Sequence, residues 1–107
     1  MPDPPDDVIA EMRARLAHAL PPRSRVLLFG SRARGDSDSA SDFDLLVIEP
    51  DVADAAKESV RLRRVLRGLT VPIDVVVVDE ATAARRRAVR GTMVDRAFRE
   101  GRLLIGA

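Results

Sequence analysis

At 107 residues the chain has the length of one compact domain with a single core, and 46% hydrophobic against 33% charged residues exclude an intrinsically disordered chain. A net charge of +1, no Trp or Tyr, and Phe only at Phe29, Phe43 and Phe98 argue against a nucleic-acid partner, which wants a basic face and aromatic platforms. No cysteine is present, so disulfides, thiolate metal sites and cysteine nucleophiles are excluded, and no apolar run approaches the roughly 20 residues of a membrane span.

The N-terminus, MPDPPDD, is acidic where a signal peptide is basic, so a cytoplasmic location is expected. Val8, Ile9, Met12, Leu16 and Leu20 share one face at helical spacing, which predicts a helix from about Asp6 to Ala19. Asp3, Asp6 and Asp7 suit its start and Pro21-Pro22 stops it, while His18 falls off the apolar face and is expected in solvent. Val26 to Phe29 reads as a buried strand ending at Gly30, followed by a helical turn from Ser31 to Arg34 and a polar loop from Asp36 to Ser41.

Phe43 to Ile48 predicts a second strand, ended by Pro50. A long helix is expected from about Val52 to Arg67, capped by Asp51 and ended by Gly68. Its core-facing stripe is Val52, Ala55, Ser59, Leu62, Leu66 and Leu69. Ile73 to Val78, with four successive valines, predicts a third strand buried on both faces. Two helices follow, one from about Glu80 capped by Asp79 and one from Val94 with a capping box at Thr92-x-x-Asp95; Gly101 closes the last, and Leu103 to Ile105 suggests a final strand. The order predicts an α/β (α+β) domain spanning 1–107, a small sheet flanked by helices.

The acids carry the chemistry. Asp44 precedes Leu45 to Ile48, and Asp74 interrupts an apolar stretch, so each is expected to meet something that compensates a carboxylate. Asp42 and Asp44, two apart on a strand, leave the same face while Phe43 points to the core. A divalent cation turns the repulsion of converging carboxylates into attraction, and magnesium suits an oxygen site that leaves room for phosphate. Upstream, Gly30-Ser31 lets backbone approach a ligand and offers free amides and a hydroxyl as an anion site. Singly, each has an ordinary reading: a turn, a cap, a solvent-facing strand end. Together, and in this order, they fit a metal-bound triphosphate.

Gly30-Ser31, ten residues, then Asp42-Phe43-Asp44 resembles the GS-x(10)-D-x-D signature of the DNA polymerase β-like nucleotidyltransferases. The longer text GSRARGDSDSASDFDLLV is similar to the minimal nucleotidyltransferase (MNT) branch, matching at Gly30, Ser31, Ala33, Arg34, Gly35, Ser41, Asp42, Asp44 and Leu45, with the third acid on Asp74. The resemblance implies a palm-like fold with a small mixed sheet and two magnesium ions held by Asp42, Asp44 and Asp74. It also implies β- and γ-phosphates held at Gly30 and Ser31. Arg32 and Arg34, about 200° apart on a helical turn, leave one to reach phosphate and the other to brace the loop through Asp36 or Asp38.

Seventeen of the eighteen basic residues are arginine. Arg61, Arg63, Arg64 and Arg67, with Arg85, Arg86, Arg87 and Arg90, read as solvated faces or as a dock for an acidic partner. With no length left for an acceptor-binding domain, a macromolecular acceptor is expected. In the MNT branch that acceptor is a HEPN-type toxin, so the resemblance implies an antitoxin that moves AMP from ATP to a tyrosine of the toxin, with a hetero-oligomer of the two as one arrangement. The rivals are transfer to a small molecule such as an aminoglycoside, and a non-catalytic antitoxin that acts by binding alone. The absence of tyrosine from the chain rules out modification of a tyrosine of its own.

Overall fold

Along the first strand, Val26 and Leu28 alternate with Leu27 and Phe29, and both sets are apolar, so this strand needs a hydrophobic layer on each face. The computed structural model, which describes residues 5–30, 43–69 and 71–106 with side chains from Val8 onward, supplies both layers. The elements run α1 (Pro5–Ala19), β1 (Arg25–Phe29), β2 (Phe43–Glu49), α2 (Ala55–Val65), β3 (Ile73–Asp79), α3 (Glu80–Arg87), α4 (Met93–Glu100) and β4 (Arg102–Ile105). The predicted turn from Ser31 to Arg34 and the loop from Asp36 to Ser41 lie outside the described residues.

The four strands form one mixed sheet in the order β3-β2-β1-β4. β1 pairs antiparallel with β2 and β4, whereas β2 and β3 pair in parallel, with α2 as the crossover. Met12 and Leu16 of α1 and Leu62 of α2 are fully buried against Val26, Leu28, Phe43, Leu45, Val47, Val75 and Val77 on one face. On the other face Ala83 of α3 with Val94 and Ala97 of α4 cover Leu27, Leu46, Ile48 and Val78. The small side chains on α3 and α4 let these helices sit close to the sheet. The expected mixed sheet flanked by helices is the observed architecture.

Two expectations for α2 change. The helix begins at Ala55, capped by Asp54, whose carboxylate accepts from the Lys57 amide at 3.1 Å; Asp51 and Val52 lie before it. Asp51 and Asp54 are both plausible caps by residue type, and the one followed by uninterrupted helical turns takes the role. Ala55 is exposed rather than on the core stripe, while Ser59 donates to the Val75 carbonyl at 3.1 Å and ties the helix to β3. At the far end of the chain Thr92 caps α4 as expected, accepting from Asp95 N at 3.1 Å. The return bond of the box is displaced by one residue: the Asp95 carboxylate accepts from Gly91 N, not from Thr92 N.

α1 and α2 cap one another. Arg15 donates to the Val65 and Arg67 carbonyls at 3.2 and 2.8 Å, and Arg61 donates to the Ala19 carbonyl at 3.2 Å. Each arginine thus brings positive charge to the other helix's carboxyl end, where the dipole favours it. Arg61 is therefore occupied within the fold, as is Arg87, which stands over the Phe98 ring at 4.0 Å. His18 is exposed, as expected. No helix among the described residues is long and apolar enough to cross a membrane.

Candidate active site

β2 and β3 begin side by side, and their parallel register pairs Asp44 directly with Asp74. Paired residues on adjacent strands point to the same face, and strands lie about 4.8 Å apart. The face is that of Leu46 and Ile48, covered further along by α3 and α4. Neither helix covers its lower end, so Asp44 is half-buried and Asp74 is exposed. The expectation of a buried acid in need of compensation is thereby corrected for Asp74; Asp44 is the more enclosed of the two. Solvent reaches Asp74, and what calls for a counter-charge is the proximity of two carboxylates rather than their burial.

Gly30 ends β1 on the other side of Asp44, with φ +83, a conformation that side chains rarely adopt. A Cβ at this position would collide with Oδ2 of Asp44. The glycine therefore has a local duty beyond closing a strand: it leaves the space in which the Asp44 carboxylate stands.

Gly30, Asp44 and Asp74 share one cleft of about 490 Å³, within the usual range for small-molecule sites. Its other walls include Phe29, Val76 and Met93, with Arg63 from α2 and Arg96 and Glu100 from α4. Met93, Arg96 and Glu100 stand at i, i+3 and i+7, one stripe of α4, while Val94 and Ala97 turn to the sheet. The structure thus brings together three of the residues read from sequence. Asp42, Ser31, Arg32 and Arg34 lie outside the described residues. Arg63, Arg96, Met93 and Glu100 were not singled out for the site. Nothing in a sequence says that this side of α4 faces the start of β2.

The donor chemistry suits a hard divalent cation: carboxylate oxygens only, open to solvent on one side. Among the described residues no group of three or more His, Cys, Asp or Glu is arranged to hold a metal ion; Asp44 and Asp74 bring two carboxylates to the cleft.

A different polar cluster sits at the opposite end of β2. Glu49 is buried, its Oε2 without a hydrogen-bond partner among the described residues. Burial, then the hydrogen bond with Glu58, push its carboxyl up to about 7. Glu58 is held down at about 2, first by Arg61, which binds it at 2.6 and 2.7 Å, and then by Glu49.

The family model for the nucleotidyltransferase domain matches residues 9–103. The chain belongs to the nucleotidyltransferase domain family. That match runs from α1 to β4 and supports transfer of a nucleotidyl group as its activity. The chain is also similar in fold to a structure described as a toxin-antitoxin with AMP-PNP (TM-score 0.58, 22% identity, covering 92% of this chain and 73% of that one). A second similar structure is a candidate nucleotidyltransferase from Sulfolobus solfataricus (TM-score 0.57, 23% identity, covering 96% and 87%). Comparison with curated proteins gives no significant match.

Proposed function

We propose that this nucleotidyltransferase is an antitoxin that transfers AMP from ATP to a tyrosine hydroxyl of a cognate HEPN-type toxin, with release of pyrophosphate. The observation that carries the reading is the pairing of Asp44 with Asp74 beside Gly30 in a nucleotide-sized cleft. The toxin-antitoxin structure with AMP-PNP, similar in fold, supports an adenine nucleotide as donor and a toxin as partner.

In this reading Asp42, Asp44 and Asp74 hold magnesium, with two ions expected. When bound, the metal offsets the charge of the triphosphate and makes the acceptor hydroxyl easier to ionise. Gly30 and Ser31 hold the β- and γ-phosphates, helped by one of Arg32 and Arg34. Asp74, on the exposed side of the cleft, helps take the proton of the tyrosine hydroxyl. The phenolic oxygen forms a bond to the α-phosphorus as the bond from that phosphorus to the α–β bridging oxygen breaks. Pyrophosphate leaves with that electron pair, and the tyrosine carries AMP through a phosphodiester.

The test is intact-mass measurement of the toxin after incubation with the protein, ATP and magnesium. The reading expects a mass gain of one AMP per transfer, abolished by Asp44→Asn. Neutralisation with no mass gain would point to binding alone. Pyrophosphate release driven by an aminoglycoside, with the toxin unmodified, would point to a small-molecule acceptor.

A further inference from the structure

Residues 84–91, from the last turn of α3 into the turn before α4, are exposed without a break and include four arginines and no acid. Side chains fix this turn. The Thr92 hydroxyl shares its proton between the Arg86 and Val89 carbonyls, at 2.7 and 3.0 Å, and the Gly91 amide donates to the Asp95 carboxylate at 2.9 Å. Of the four large apolar side chains exposed among the described residues, two, Val89 and Met93, stand at this turn. Met93 also walls the cleft that holds Asp44 and Asp74. Its helix starts beside α3, which packs on β2 and β3, and ends beside β1, where Arg102 pairs with Leu28. Over that length the helix travels about 10 Å. The Glu100 end of the stripe on α4 therefore lies toward Gly30, and the Met93 end toward the β3 side, where Asp74 stands.

We propose that this α3–α4 corner docks the protein acceptor: Val89 and Met93 receive an apolar side chain of its surface, and Arg86 and Arg90 pair with carboxylates beside it. The proposal rests on the acceptor being a protein, as in the function reading above. An acceptor seated here enters the cleft from the Asp74 side, opposite the phosphates held at Gly30. Asp95, the acid that follows the turn, is already held by the Gly91 amide and by Arg99 at 3.0 Å, which leaves the corner a basic face that an acidic partner complements. Exposed apolar side chains rimmed by charge mark interaction sites, and Met and Arg are favoured at protein interfaces. A turn fixed in the free chain also loses little entropy on binding. An RNA backbone is the other ligand with the right charge. It fits less well, because Phe98, the ring on α4, is engaged by Arg25 and Arg87 rather than free to stack on a base.

The experiment measures toxin binding to the full chain, and steady-state transfer, for Val89→Asp and for Arg86→Glu combined with Arg90→Glu. Val60→Asp, at an exposed apolar position on α2 outside the cleft, is the control. All these positions are exposed, and thermal melts check the folding of each variant. Each corner variant should weaken toxin binding by at least about tenfold and raise KM for the toxin. Affinity for a non-hydrolysable ATP analogue should stay within about twofold, and Val60→Asp should match the wild type. The charge-reversed variant should also associate more slowly and lose the salt dependence of association, which a merely structural change does not move. Unchanged toxin affinity in the corner variants, with the wild type binding and modifying the toxin, overturns the proposal. So do variants that keep toxin affinity but lose affinity for a single-stranded RNA, which would assign the corner to RNA. A wild type that neither binds nor modifies the toxin overturns the function reading itself, a result distinct from either.

Discussion

Asp44 and Asp74 stand directly opposite one another in the parallel ladder of β2 and β3, and both line the cleft walled by α4. Two like charges on neighbouring strands destabilise the fold in the absence of a cation. Asp74→Asn should therefore leave the metal-free protein slightly more stable, by roughly a few tenths of a kcal/mol at low ionic strength and less in salt. The same variant should lose the stabilisation that magnesium and nucleotide give the wild type. Thermal melts in EDTA and in magnesium with an ATP analogue measure both effects; a variant less stable in EDTA would mean that the pair is held by something other than a bound cation.

Gly30→Ala is expected to abolish transfer through Asp44. The added methyl falls where the Asp44 carboxylate stands, and φ +83 strains any side chain. The stability loss should be about 1 kcal/mol or more, while turnover should fall to the level of Asp44→Asn. Steady-state kinetics on the folded variant check this, and retained turnover would show that the carboxylate can act from another position.

Much of this was legible in the chain itself. Period and composition identify every described strand, because β2 and β3 are apolar runs bounded by Pro50, Pro72 and Asp79. Gly30 and Asp44 could be singled out because the motif that carries the family resemblance is local in the chain, running from the end of β1 to the start of β2. The α2 cap could not, because Asp51 and Asp54 have equal claims until the path of the chain leaving β2 is known. Arg63 and Arg96 were illegible for a deeper reason. They lie on different helices, 33 residues apart in number, and only the way α2 and α4 flank the β3 edge brings them to one cleft.

A pH dependence should arise from the far end of β2. Glu49, with its carboxyl at about 7 in the folded protein against an ordinary 4.5, holds a proton between those values that the unfolded chain has lost. Stability should therefore fall as pH rises from about 4.5 to 7, by at most about 1.4 kcal/mol per unit. Glu58, at about 2, contributes stability above 4.5 that is lost as pH falls toward 2. Glu49→Gln keeps a donor for Glu58 and should flatten the upper limb while leaving the acid limb. Urea unfolding from about pH 2 to 8 tests both limbs, and an unchanged upper limb in the variant would assign that slope elsewhere.

Leu62 is the buried anchor of α2, fully enclosed between the helix and the sheet. Leu62→Ala should cost about 2–5 kcal/mol by removing its packing and leaving a cavity. Since Leu62 faces away from the cleft, turnover per folded molecule should be retained well below the melting temperature. Denaturant unfolding together with active-site titration separates the two quantities, and lost turnover in a fully folded population would tie α2 packing to the site.

The most direct measurement is binding of manganese, as a paramagnetic substitute for magnesium, followed by its electron spin resonance signal in the presence of a non-hydrolysable ATP analogue. The wild type should take up the manganese–nucleotide complex, and Asp44→Asn and Asp74→Asn should each weaken it by roughly tenfold or more. Equal uptake by the wild type and both variants would contradict a shared ion at this carboxylate pair.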